Sequence, residues 1–173
     1  MNNNSESTFG AFVTPHLDAA YNLARWIVTD PNDAADVVQD ACIKAMNGFA
    51  SYRGGSERSW MLTIVRNTAY NFLRDSKRER FVPLDDAITA SLPSEDMNPE
   101  VQLVRGINIA SVQSAIESLA PEYREIVVLK EIEELSYKEI AELCSIPIGT
   151  VMSRLSRARI QLRDRLIKME DVR

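Results

Sequence analysis

Cysteine, histidine, glycine and proline are all scarce: two, one, six and seven among 173 residues. Cys42 and Cys144 stand alone within apolar helical patterns. That excludes a disulfide framework and a zinc site by spacing, and both read as reduced core residues. His16 lies in the first turn of a helix with no cysteine near it, and reads as a surface residue. There is no glycine-rich phosphate loop and no catalytic set, so no enzyme, no cofactor and no metal site are expected. With so few helix breakers, apolar spacings of three and four dominate, and the fold class is all-α. No apolar run approaches the ~18 residues of a membrane span, and no signal peptide opens the chain. A cytoplasmic address without a membrane partner is expected.

The net charge of −5 looks wrong for a binder of nucleic acid, but it is unevenly spread. Residues 1–80 hold nine basic and nine acidic side chains, and residues 121–173 hold ten of each. The deficit lies in 81–120, with one basic and six acidic. Residues 53–80 are locally +4 and residues 150–168 locally +5. Two basic patches on either side of an acidic connector can meet phosphate despite the acidic sum.

The most informative stretch is Leu135 to Leu162. Ser136 followed by Glu139 is a capping box opening a short helix with Ile140, Ala141, Leu143 and Cys144 on one face. Pro147 and Gly149 interrupt it, and Thr150 is placed to cap a second helix. There Val151, Leu155, Ala158 and Leu162 form one buried stripe. Ser153, Ser156 and Arg157 lie opposite, flanked by Met152, Arg154 and Arg159. This pattern suits a helix-turn-helix reader of the DNA major groove; an αα-hairpin with a solvated basic face is the plainer alternative.

Residues 1–9 are polar and read as a disordered N-terminus. Thr14-Pro15 reads as a helix start, with Leu17, Ala20, Tyr21, Leu23, Ala24 and Ile27 facing inward. Asp30-Pro31 ends that helix and opens another, over about 32–49. Its core side is Ala34, Val38, Ala41, Cys42, Ala45 and Phe49. Asp36, Gln39, Asp40 and Ile43 share a different face, either solvated or a docking surface for a basic partner. Tyr52, Arg53 and Ser56 fall in a loop with Gly54 and Gly55, where an aromatic and a cation can grip an unpaired base or merely connect helices. The helix over about 59–78 buries Leu62, Val65 and Ala69, with Phe72 or Leu73. Thr63, Arg66, Asn67, Tyr70, Asn71 and Arg74 share a face without a carboxylate before Asp75, which favours nucleic-acid contact. Trp60 reads as core in preference to a stacking residue. Residues 81–97 read as a flexible acidic linker. A helix restarts at Asn98, and another opens at Pro121 with Tyr123, Ile126, Val127, Leu129 and Ile132 alternating with charges. Two small helical domains follow, 10–80 and 98–173, each marginal alone.

Both halves resemble one family, the extracytoplasmic-function group of bacterial RNA polymerase sigma factors of the sigma-70 type. The segment DAADVVQDACIKAM at 33–46 is similar to its core-polymerase-binding helix. ERSWMLTIVRNTAYNFLRDSKR at 57–78 is similar to its −10 helix, and residues 119–159 to its −35-binding domain. The resemblance implies that Asp36, Gln39, Asp40 and Ile43 dock on the clamp helices of the polymerase β′ subunit, with the β subunit also a partner. It implies that Tyr52, Arg53, Ser56, Arg66, Asn67, Tyr70, Asn71 and Arg74 engage −10 DNA. Thr150, Met152, Ser153, Arg154, Ser156 and Arg157 fall on the −35 face. Members often have arginine at the position of Met152, and some an aromatic at that of Ser156, so the −35 preference does not carry over. An anti-sigma factor is the implied regulator, and no stable homo-oligomer is expected. Two alternatives stay open: a sigma-like decoy that occupies an anti-sigma factor, and a stand-alone helix-turn-helix regulator.

Overall fold

The structure is a computed structural model that describes residues 3–80 and 109–170, with side chains from 8 to 77 and 109 to 169. The linker at 81–97 and the helix restart at Asn98 lie outside the described residues. Among the described residues, short turns and loops join the helices α1 (Asn3–Val13), α2 (Leu17–Val28), α3 (Pro31–Gly48), α4 (Glu57–Arg80), α5 (Ile109–Glu117), α6 (Pro121–Val127), α7 (Tyr137–Cys144) and α8 (Ile148–Glu170).

The first domain is α2, α3 and α4 packed on one another, with α1 leading in. Ala20, Leu23 and Ala24 of α2, Ala34, Val37 and Ala41 of α3, and Met61, Leu62 and Val65 of α4 are its interior. The alanines let the helix axes approach closely. Leu17 and Tyr21, expected inside, are exposed, because the buried side of α2 runs along Ala19, Ala20, Leu23, Ala24, Ile27 and Val28, and both lie at its edge. Asp30 caps α3: its Oδ1 accepts from the backbone N–H groups of Asn32 at 2.8 Å and Asp33 at 3.1 Å.

A helix occupies most of the polar N-terminal segment. Helix α1 begins at Asn3, and Phe9 and Phe12 anchor it edge-on against Phe49, with centroids 5.4 and 4.9 Å apart. Thr14 is not a cap either. It opens a 3₁₀ turn, Thr14–His16, and its hydroxyl donates back to Gly10 O at 2.7 Å.

In the second domain, α5, α6 and α7 pack on α8. Helix α6 widens into one turn of π-helix, Val128–Ile132, closed by the Glu133 N–H to Val128 O at 2.9 Å. The capping box at Ser136 forms in both directions: Glu139 N–H donates to Ser136 Oγ at 3.2 Å, and Ser136 N–H to Glu139 Oε2 at 2.9 Å. Ser145, in the left-handed region at φ 55°, ends α7 and turns the chain into α8. Thr150 is not the cap of that helix. Helix α8 starts at Ile148, and the Thr150 N–H already bonds Pro147 O at 2.9 Å.

At the head of α7 the Ser136 backbone N–H, and then the Ser136 hydroxyl, hold the Glu139 carboxyl below its usual range. A depressed folded-state pKa stabilises above the ordinary carboxylate range, and the contribution fades as pH falls through the lowered value. Ser136→Ala is expected to lower unfolding stability by about 1 kcal/mol at neutral pH. Urea titrations should show the gap to wild type shrinking in acid.

The two domains pack against each other. Helix α2 packs on α6, α4 packs on α7, and the apolar interiors merge into one core.

Candidate nucleic-acid interface

Helix α8 owes its orientation to Val151, Leu155 and Ala158, which are buried at i, i+4 and i+7. That stripe turns Met152, Ser153, Ser156 and Arg157 outward, with Met152 53% exposed, and leaves Thr150 and Arg154 half-buried at the edge. Ser153 Oγ donates to Thr150 O at 3.1 Å, so one hydroxyl is partly engaged within the helix. Arg159 turns away from this face to Glu131, at 2.5 Å. The six expected −35 residues therefore lie on one accessible strip of helix, with small side chains between longer ones.

Helix α3 presents to solvent the residues expected to dock. Asp36, Gln39 and Asp40 are exposed, and Ile43 is 54% exposed. Met46, three residues further, extends the patch and was missed in the sequence, although its i+3 spacing from Ile43 signals it. Neither aspartate forms a salt bridge among the described residues. A carboxylate pair beside an exposed apolar patch suits a basic partner with some greasy surface.

The α4 face is divided. Asn67, Asn71 and Arg74 are exposed, and Arg74 lies 3.6 Å from Asp75. Arg66 and Tyr70 are not free. The Arg66 Nε donates to Glu125 Oε1 across the domain boundary at 2.9 Å, and the guanidinium lies 4.8 Å over the Tyr70 ring. Glu125 is fully buried. Burial, then the Glu125 carboxylate, push the Tyr70 phenol well up, and the Cys144 thiol for the same two reasons. The reading of Arg66 and Tyr70 as members of an open face is thus corrected. The lack of a carboxylate on that face pointed to nucleic acid, whereas the second domain supplies Glu125 there.

The loop after α3 is partly structural. Tyr52 packs edge-on against Phe12 with centroids 5.1 Å apart and tilts against Trp60 at 5.4 Å, while its hydroxyl donates to Gly55 O at 2.8 Å. Ser56 Oγ accepts the Ser59 N–H at 3.1 Å at the head of α4. Gly54 and Gly55 take φ of 91° and 104°, which β-carbon-bearing residues avoid. Arg53 alone of the three expected loop residues is both exposed and without a contact role here. Trp60 joins the aromatic cluster, as expected. His16 is less exposed than expected: it stacks edge-on to Phe12, 3.7 Å from Glu57.

Sequence reasoning missed the residues that join the domains. Arg58 bonds Glu133 through both its backbone and its carboxylate, and Asn22 reaches that carboxylate at 3.4 Å. Arg25 lies 3.9 Å from Glu117. Arg124, itself buried, donates to Trp26 O in the first domain and to Glu117 O and Leu119 O in its own. The signal was available in the run REIVVLKEIEE, whose charges interrupt an otherwise core-like helix.

An all-helical pair of domains, one carrying a helix-turn-helix, defines a DNA-reading class. Comparison with known proteins sharpens it. Residues 12–79 match the family described as Sigma-70 region 2, and residues 109–162 that described as Sigma-70, region 4. The ECF RNA polymerase sigma factor SigE of Mycolicibacterium smegmatis is 37% identical over 157 residues, which are 90% of this chain and 60% of that protein. The ECF RNA polymerase sigma-E factor of Escherichia coli K12 is 39% identical over 134 residues, 73% of this chain and 70% of that one. Among solved structures, the sigma factor RpoE in complex with the anti-sigma factor NepR, from Bartonella quintana, superposes with a TM-score of 0.73. It is 27% identical, over 93% of this chain and 97% of that one. The chain belongs to the ECF RNA polymerase sigma factors. Among the described residues, no helix is long and apolar enough to cross a membrane.

Proposed function

We propose that this chain acts in the cytoplasm as an alternative sigma factor, binding core RNA polymerase and directing it to promoters that carry matched −10 and −35 elements. The observation that carries the reading is the outer strip of α8. Its inner side is fixed by core packing, and its outer side offers small polar, basic and apolar groups at major-groove spacing. The first domain, 10–80, docks on the β′ clamp helices through Asp36, Gln39, Asp40 and Ile43, with the β subunit as a further contact. It then captures opened −10 strands with Arg53, Asn67, Asn71 and Arg74, joined by Arg66, Tyr70, Tyr52 and Ser56 once those are uncovered. The second domain, 98–173, reads duplex −35 DNA. The chain supplies no covalent chemistry, which stays with the polymerase. Each domain alone is a weak reader, and tethering gives the second contact a high effective concentration after the first. An anti-sigma factor is the natural regulator, since a sigma factor of similar fold was solved with one.

Run-off transcription with purified core polymerase on a genomic promoter library tests this directly and returns the recognised motif. Initiation no more selective than with core polymerase alone overturns it. Arg157→Ala gives a finer test. If Arg157 reads a base, the variant loses about 1–3 kcal/mol of discrimination at one −35 position; if it holds phosphate, all promoters weaken alike. Wild-type transcription from every promoter removes it from both roles.

A further inference from the structure

The first two turns of α8 carry apolar side chains that the core does not take up. Ile148 is 45% exposed and Met152 53% exposed, and their i, i+4 spacing sets them side by side. Pro147 and Gly149 beside them are exposed too. Glycine is a poor helix former, yet a β-carbon at Gly149 would meet nothing, so no packing within the protein calls for it. Around this apolar tip the charge is all of one sign. No carboxylate falls between Glu142 and Asp164, a span that holds Arg154, Arg157, Arg159 and Arg163. Glu131 and Asp164 hold the last two, whereas Arg154 and Arg157 form no salt bridge among the described residues. An apolar tip flanked by uncommitted cations fits a surface that is anionic at its edges and apolar at its floor. Duplex DNA has that surface wherever a thymine methyl lies in the major groove between the two rows of phosphates.

We propose that Met152 selects a T·A base pair within the −35 element by laying its side chain on the thymine C5 methyl. The idea rests on the −35 role given to α8 above. Side chains near the N-terminal end of a recognition helix are the ones that reach base edges, and Met152 stands in the second turn. It has no hydrogen-bond donor, and its sulfur is a weak acceptor. It therefore cannot serve guanine O6 and N7 as an arginine does, nor the amino group of cytosine. Pressed against those groups it strips away their water and returns nothing. Against a thymine methyl it displaces no hydrogen bond, and two apolar surfaces leave water together. Its unbranched, flexible chain can settle on the methyl while Val151 and Leu155, both buried, keep the helix itself fixed. Ile148, stiff and β-branched, lies one turn earlier and shields the same contact from water.

The test uses the full chain, tagged and mixed with core polymerase, to select from a pool of duplexes carrying a short randomised stretch. The recovered motif should contain a T·A pair that becomes degenerate with Met152→Ala. Circular dichroism should show that variant folded, since the side chain it removes is exposed. Uracil differs from thymine only in lacking the methyl. Placing it at that position should weaken binding by the wild-type chain about fourfold, the weight of one buried methyl group. The Met152→Ala chain should bind the thymine and uracil duplexes alike. A C·G pair there should bind the wild type more tightly when its cytosine is 5-methylated, because the same methyl is restored. Equal binding of thymine and uracil duplexes by the wild type at every position of the motif overturns the proposal and leaves the apolar tip to a protein partner. So does a methyl effect that survives Met152→Ala, or a selection that recovers no motif. Run-off transcription separates this from the proposed function. A methyl-dependent motif on a chain that directs no initiation keeps the role of Met152 and loses the sigma-factor role. Selective initiation at promoters without methyl dependence does the reverse.

Discussion

Changing Asp36 and Asp40 together to lysine should weaken retention of core RNA polymerase by about a hundredfold, or about 2.7 kcal/mol. The two carboxylates sit one helical turn apart on α3, exposed, with no salt bridge among the described residues. Removing them breaks nothing in the fold, and lysine is a good helix former. Exposed substitutions of this kind alter stability by roughly 0.5 kcal/mol or less. The binding term is different in kind. If the partner surface is basic, two attractive contacts become two repulsive ones, and like-charge juxtaposition across an interface costs several kcal/mol. Ile43→Ala should act on the same surface through lost apolar contact, with a smaller loss. The measurement is a pull-down or biosensor titration against purified core enzyme, with circular dichroism to confirm unchanged helicity. Equal affinity for variant and wild type would remove this face from polymerase docking.

The helices were readable from the chain because their signals are local. Asp30-Pro31, the Ser136 and Glu139 pair, and the Val151, Leu155, Ala158 stripe each declare themselves within two turns, and each is found in place. The reading strip on α8 follows from that stripe, since fixing one side of a helix exposes the other. Arg66 and Tyr70 show where local inference stops. Their face carries no carboxylate of its own, so it looked open, but its partner Glu125 is 59 residues away in the chain. Helix periodicity records which side is polar; it does not record whether water or another polar surface covers it. Thr14 and Thr150 also fit a cap by their sequence context, but the Thr14 hydroxyl donates to Gly10 O and the Thr150 N–H to Pro147 O instead. Helix α1 is a different case. Phe9, Phe12 and Val13 give its end apolar contacts, and a reading by the polar composition of the first eight residues passes over them.

Arg124→Ala is expected to lower unfolding stability by about 3 kcal/mol, through two or more carbonyls left without a donor. Arg124 is buried and lies where the two cores meet. Its Nη1 donates to Trp26 O at 2.8 Å, and its Nη2 to Glu117 O at 2.5 Å and Leu119 O at 2.9 Å. Burial lowers its pKa, with Glu117 opposing that shift. The guanidinium acts as a planar fork joining the end of α2 to the turn between α5 and α6. Alanine leaves those carbonyls facing a cavity too polar to stay dry. Lysine keeps the charge but offers one compact ammonium in place of the fork, so Arg124→Lys should fall between alanine and wild type. Because one of the three bonds crosses between domains, the alanine variant should also lose cooperativity. Urea unfolding followed by circular dichroism should broaden, or divide into two transitions, where wild type shows one. A variant within about 0.5 kcal/mol of wild type, unfolding in one equally sharp step, would mean that the apolar contacts of α2 with α6 hold the domains together without it.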